Sequence, residues 1–161
     1  MEKSNHYNTR ILVVDDDRDA AEKLVAHLSR LGYPATAVCS GKEALAVFGP
    51  GRFHLVLSEL KLPDIDGIAL LDALKRRDKR VVFIMVASQG TIDDAVQALH
   101  KGAYDVITKP LNMNDIALLL RRGTGHYALS AKLHNYRKYA LILAASLPLW
   151  LLLGFWAVRL W

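Results

Sequence analysis

The sequence predicts an α/β fold, an open doubly wound sheet of five parallel strands in (βα)5 order. Three observations predict it. Short apolar runs alternate five times with stripes of helical period between Ile11 and Leu120, which is how a parallel sheet covered by helices reads. Acidic residues follow the first and third runs directly, and a Lys-Pro pair follows the fifth. The length fits five units in an open sheet, whereas eight units closing a barrel need roughly 200 residues or more.

Ile11–Val14 is a short, wholly apolar strand. The helix after it carries Ala21, Leu24, Val25, Leu28 and Leu31 on one stripe and ends at Gly32, the residue type that tolerates a left-handed cap. Ala35–Val38 is a second strand, and residues 41–48 form a short helix bounded by Gly49-Pro50-Gly51. Residues 53–58 read as a buried third strand. A helix over 67–76 places Ile68, Leu71 and Leu74 on one face. Residues 81–86 form the fourth strand, and Thr91 with Asp94 resembles a capping box that opens a helix stopping at Gly102. Residues 104–108 are the fifth strand, and Asn112 opens the fifth helix. Gly123-Thr124-Gly125 is expected to break that helix and start a basic connector.

In such sheets ligands gather beyond the carboxyl ends of the strands. Asp15, Asp16 and Asp17 follow the first strand, Glu59 the third and Lys109-Pro110 the fifth, so all should converge there. Crowded carboxylates repel unless a hard cation or an ammonium is shared among them, which fits oxygen-ligated Mg²⁺ with Lys109 as the fixed positive charge. The alternative is that Asp15–Asp17 only cap the first helix.

The segments ILVVDDD (11–17), LVLSELKLPDIDG (55–67) and KGAYDVITKPL (101–111) resemble the receiver domain of two-component response regulators. The resemblance covers roughly residues 9–122 and implies a flavodoxin-like fold. It implies that Asp15 and Asp16 are the acidic pair that holds Mg²⁺, helped by the acceptor position and the backbone carbonyl of Lys61. It also makes Lys109 the lysine that pairs with the phosphoryl group.

Three positions depart from the family pattern. The acceptor position, four before Pro63, holds Glu59 in place of aspartate. The added methylene moves the carboxylate by about 1.5 Å, and a misplacement of about 1 Å can cost on the order of 10²-fold in a positioned transfer. Ala87 stands where the hydroxyl residue belongs, and Ser88, one further along a strand, is expected to point away. Val106 occupies the aromatic switch position. Together these imply a weak Mg²⁺ site at most, no catalytic residues, and a receiver that acts by contact and not by accepting phosphate. The implied partner is a sensor histidine kinase or another response regulator, with Gln97, Lys101 and Tyr104 as candidate contact residues. The alternatives are a working phosphoacceptor, at the changed site or at Asp64 or Asp66, and a small membrane protein whose receiver is a spacer.

The charge is unevenly spread. All 16 acidic residues lie at or before Asp115. The tail carries most of the net charge of +5, so the basic pI is no argument for nucleic acid. Residues 1–8 are polar and lack the apolar core of a signal peptide. A lone Cys39 excludes an internal disulfide. The six histidines lack paired metal spacing, and no Gly-rich phosphate loop is present. From Ala140 to Val158 every residue is uncharged; as a helix the run spans about 28 Å, close to the roughly 30 Å of a bilayer core. Tyr136 and Tyr139 precede it, Trp156 and Trp161 lie at its end, and Lys132, Arg137 and Lys138 stand before it against Arg159 after. The expectation is a tail over 1–8, a receiver over 9–122, a basic juxtamembrane linker over 123–138, a spanning helix over 139–158 and a short end at 159–161. The positive-inside rule then places the receiver on the cytoplasmic side of the inner membrane.

Overall fold

The computed structural model describes residues 9–88 and 92–130. Five parallel strands form one sheet in the order β2-β1-β3-β4-β5: β1 (Ile11–Val14), β2 (Ala35–Val38), β3 (Leu55–Glu59), β4 (Val82–Ala87) and β5 (Asp105–Thr108). The helices are α1 (Arg18–Arg30), α2 (Gly41–Val47), α3 (Gly67–Arg77) and α4 (Ile92–His100), with a fifth, α5, from 113 through 130. The chain divides into two units, Met1–Tyr127 and Ala128–Trp161; the second lies almost wholly outside the described residues, as does the expected spanning segment 139–158. Among the described residues no helix is long and apolar enough to cross a membrane.

Period-two alternation sorts the strand side chains onto two faces. Leu12, Val14, Val56, Phe83 and Met85 pack with Leu70, Leu71 and Leu74 of α3, Ala44 of α2 and Ala98 of α4. Ile11, Val13, Leu55, Leu57 and Ile84 pack with Ala21, Leu24 and Leu28 of α1 and Ile116, Leu119 and Leu120 of α5. Helices therefore cover both faces, and β1, β4 and the first three residues of β3 are apolar because neither face meets water.

The register positions the site. Val14 pairs with Ser58, Glu59 with Val86 and Ala87 with Thr108, so Asp15 and Glu59 emerge level with each other, and Ser88 and Lys109 emerge level with each other two residues further on. The strand order reverses direction between β1 and β3, where such sheets open a crevice. Gly67 keeps that end tight: a Cβ there would lie 2.4 Å from the Glu59 carbonyl oxygen, and its amide donates to Leu60 at 2.8 Å.

Several boundaries differ from expectation. β3 begins at Leu55, not 53, and takes in Glu59; β4 begins at Val82, because the Val81 amide closes a turn on the Asp78 carbonyl at 3.2 Å. α2 ends at Val47 and β5 begins at Asp105. The cap of α1 is Leu31, and Gly32 follows it with φ +86°. Asn112 opens α5 as expected, its Oδ1 accepting from the Asn114 amide at 3.0 Å. The expected capping box at Thr91 lies outside the described residues.

The expected break at Gly123–Gly125 is absent, since α5 runs through it. Gly123 serves packing: a Cβ there would lie 3.0 Å from Val82 Cγ1 and 3.1 Å from Leu55 Cδ1, whereas one on Gly125 would meet nothing within 4 Å. Gly123→Leu should therefore destabilise the fold by about 1–3 kcal/mol through overpacking, while Gly125→Ala should stabilise it by up to about 1 kcal/mol through helix propensity. Urea unfolding followed by circular dichroism checks both signs.

Candidate functional site

Four elements deliver the site. β1 ends into Asp15 and Asp16, β3 ends on Glu59, β4 hands over to Ser88, and β5 to Lys109. The Lys109 ammonium donates to Asp15 Oδ2 and to Glu59 Oε2, each at 2.8 Å. Asp15 and Glu59 are both only 7% exposed, so the one ammonium is shared by two carboxylates that burial would otherwise penalise and offsets their charge in part. Burial pushes the Lys109 pKa down, but the hydrogen bonds and charges of Asp15 and Glu59 outweigh it and hold it above its ordinary value.

The remaining oxygens are also engaged. Asp15 Oδ1 accepts from the Asp17 amide at 3.0 Å, and Glu59 Oε1 accepts from the Ser88 hydroxyl. This corrects the expectation that Ser88 points away: β4 stops at Ala87, so strand alternation no longer governs the next residue. Ala87 is buried and carries no hydroxyl, and Ser88 supplies one from one position later. No spacing rule signals that bond, because the change lies in the backbone after the strand.

The three aspartates divide their labour. Asp17 is the N-cap of α1, accepting from the Ala20 amide at 3.1 Å. Asp15, Asp16 and Glu59 bring one carboxylate oxygen each to within 4.8 Å of the others, beside an open pocket of about 180 Å³ lined by Asp16, Glu59, Leu60, Lys61 and Ser88. A hard, oxygen-ligated cation fits this donor set. Asp16 is exposed toward solvent, and Lys61 borders the same pocket. Mg²⁺ there would relieve repulsion that Lys109 neutralises only in part.

The other loop carboxylates have separate uses. Asp64 accepts from the Gly41, Lys42 and Ile65 amides at 2.9, 2.7 and 2.9 Å, so it ties the β3–α3 loop to the start of α2. Against a desolvation penalty, those bonds hold its pKa below the ordinary value. Asp66 is the N-cap of α3, accepting from Ile68 at 2.7 Å. Neither belongs to the acidic cluster.

Val106 is half-buried against the α2–α4 core, beside a cavity of about 40 Å³ shared with Leu60, Met85 and Ala95. Tyr104 packs with the opposite core and against His126, ring centroids 5.5 Å apart, so it does not stand in at the switch position. Gln97 and Lys101 are exposed, and Tyr104 is half-buried. On the same helix as Gln97, Ile92, Val96 and Leu99 are 84%, 44% and 46% exposed.

A family model described as the response regulator receiver domain matches residues 11–121. The C4-dicarboxylate transport transcriptional regulatory protein DctD of Rhizobium meliloti is 31% identical over 86% of this chain and 30% of its own length. The transcriptional regulatory protein ZraR of Escherichia coli is 33% identical over 75% of this chain and 27% of its own. This chain thus spans about a third or less of either relative. Among solved structures, a CheY-like receiver domain protein from Methanospirillum hungatei superposes with TM-score 0.72 at 29% identity, covering 76% of this chain and 98% of that one.

The raised pKa of Lys109 fixes a pH dependence. Its contribution to stability is complete below the ordinary lysine value of 10.5 and is lost as pH rises through the folded value above it. Lys109→Met should abolish this alkaline limb and lower stability at neutral pH by about 1–3 kcal/mol, the cost of leaving a buried polar group unsatisfied. Added Mg²⁺ should restore part of the loss. Melting temperatures with and without Mg²⁺ across pH check all three.

Proposed function

The chain belongs to the response regulator receiver domain family, and from that premise we propose a membrane-tethered receiver held in one conformation by Glu59 and acting by protein–protein contact, with no enzymatic step of its own. One observation carries the reading. The Glu59 carboxylate bonds at once to the Lys109 ammonium and to a hydroxyl at the end of β4, the two kinds of partner that the resemblance assigns to an incoming phosphoryl group. A side chain one methylene longer than aspartate reaches into the space the phosphoryl group would fill.

Asp64 and Asp66 support the same reading by being unsuited as substitutes. Each caps a helix through its carboxylate oxygens, and moving either into the cluster would unpair backbone amides. Mg²⁺, if bound, would be held by Asp16 with Asp15, Glu59 and the Lys61 carbonyl, and would supply charge neutralisation. The partner is a histidine kinase or another response regulator, met on the face that carries Gln97 and Lys101. The uncharged run from Ala140 to Val158 and the basic residues before it support a single-pass anchor with the receiver on the cytoplasmic side. Confinement to a membrane layer raises effective concentration and allows a weak contact to be occupied.

The test is exposure of the chain to acetyl phosphate with Mg²⁺, followed by intact mass. The chain should acquire phosphoryl groups at least about 10²-fold more slowly than its Glu59→Asp variant. Comparable rates in the two would identify a working acceptor and overturn the reading.

A further inference from the structure

The receiver is electrically polar along its strands. Acids gather at the carboxyl ends, where Asp15, Asp16, Glu59, Asp64 and Asp66 lie. The opposite end is basic. Arg10 precedes β1, Arg52 precedes β3, Arg77 ends α3 and Lys79 lies between α3 and β4. Arg121 and Arg122 immediately precede Gly123, which abuts Leu55 and Val82 at the first residues of β3 and β4. All six are exposed. Among the described residues, acids near them are largely offset: buried Asp78 pairs with Arg80 at 2.9 Å and Asp72 with Arg76 at 3.3 Å, leaving Asp105 at the start of β5.

The chain leaves the receiver at this same end. α5 starts beside the carboxyl ends of the strands and reaches their amino ends by Gly123. Tyr127 then seats edge-on against His54, centroids 4.6 Å apart, with Arg80 over its ring at 5.6 Å. The residues after Tyr127 contain no acid and include the uncharged run from Ala140 to Val158.

We propose that the basic pole formed by Arg10, Arg52, Arg77, Lys79, Arg121 and Arg122 is a docking face for an anionic lipid surface. It presses the amino ends of the strands toward the headgroups and turns the acidic site and α4 away, toward partners in solution. This rests on the tether proposed above. Charge complementarity supplies the attraction, which acts within about 8 Å at physiological salt. The six charges come from four separate parts of the chain around one end, a broad face suited to a plane more than to a groove.

The experiment uses the full chain with Cys39→Ser and Ser29→Cys, a dye on the new thiol in the last turn of α1, and vesicles carrying a headgroup acceptor. Vesicles are either phosphatidylcholine or its mixture with phosphatidylglycerol. Flotation reports the tether, and energy transfer reports the face. The expected result is flotation with both compositions and transfer about twofold or more higher with phosphatidylglycerol. That excess should vanish at about 0.5 M salt and in Arg52→Glu/Lys79→Glu/Arg121→Glu/Arg122→Glu. The salt arm decides should that variant not fold. Flotation with both and equal transfer would overturn the docking face and leave the tether standing. Flotation only with phosphatidylglycerol, abolished by salt, would support the face and remove the tether. Flotation with neither overturns both. Salt-sensitive binding to duplex DNA without excess transfer would assign the pole to nucleic acid and overturn the proposal.

Discussion

The ammonium of Lys109 joins the carboxyl ends of three strands, and the site depends on that tie. Asp15 and Glu59 project from adjacent strands at equal height, because β1 and β3 run parallel in register. Two nearly buried carboxylates in that position would push the strand ends apart without a shared cation. Lys109, arriving from the far edge of the sheet, satisfies both at 2.8 Å. The parallel strand pairing contributes by fixing where each strand ends, so that groups 94 and 50 residues apart in sequence meet at bonding distance.

Glu59 turns this general arrangement into a particular one. An aspartate there would use one oxygen for Lys109 and leave a gap before the end of β4. The glutamate closes the gap onto Ser88. The contact that joins the end of β3 to the end of β4 is then made within the chain itself. Val106, at the position where the family resemblance places an aromatic residue, lies beside a small cavity shared with Leu60, Met85 and Ala95.

Much of this was legible in the residues. The apolar strands, the alternation with helices, and the convergence of Asp15, Asp16, Glu59 and Lys109 all follow from period and from the rule about strand ends. What was not legible has physical causes. Strand alternation points Ser88 outward, but the strand ends one residue before it. Glycine disfavours helices locally, which marks Gly123 as a breaker, whereas in the fold its bare Cα lets α5 pack closely on Val82 and Leu55. Asp64 was a spare carboxylate by sequence; its role at the start of α2 rests on a contact 23 residues away, which no local pattern encodes.

The most direct measurement of a fixed receiver is amide NMR of residues 1–127 titrated with Mg²⁺ and then beryllofluoride, beside the Glu59→Asp variant. A site already occupied by Glu59 should leave the parent amides of Ser88, Val106 and Lys109 unmoved by beryllofluoride, while the variant shifts at all three. Shifts spreading through β4 and β5 of the parent would contradict it and show a switch that still answers to a phosphoryl group.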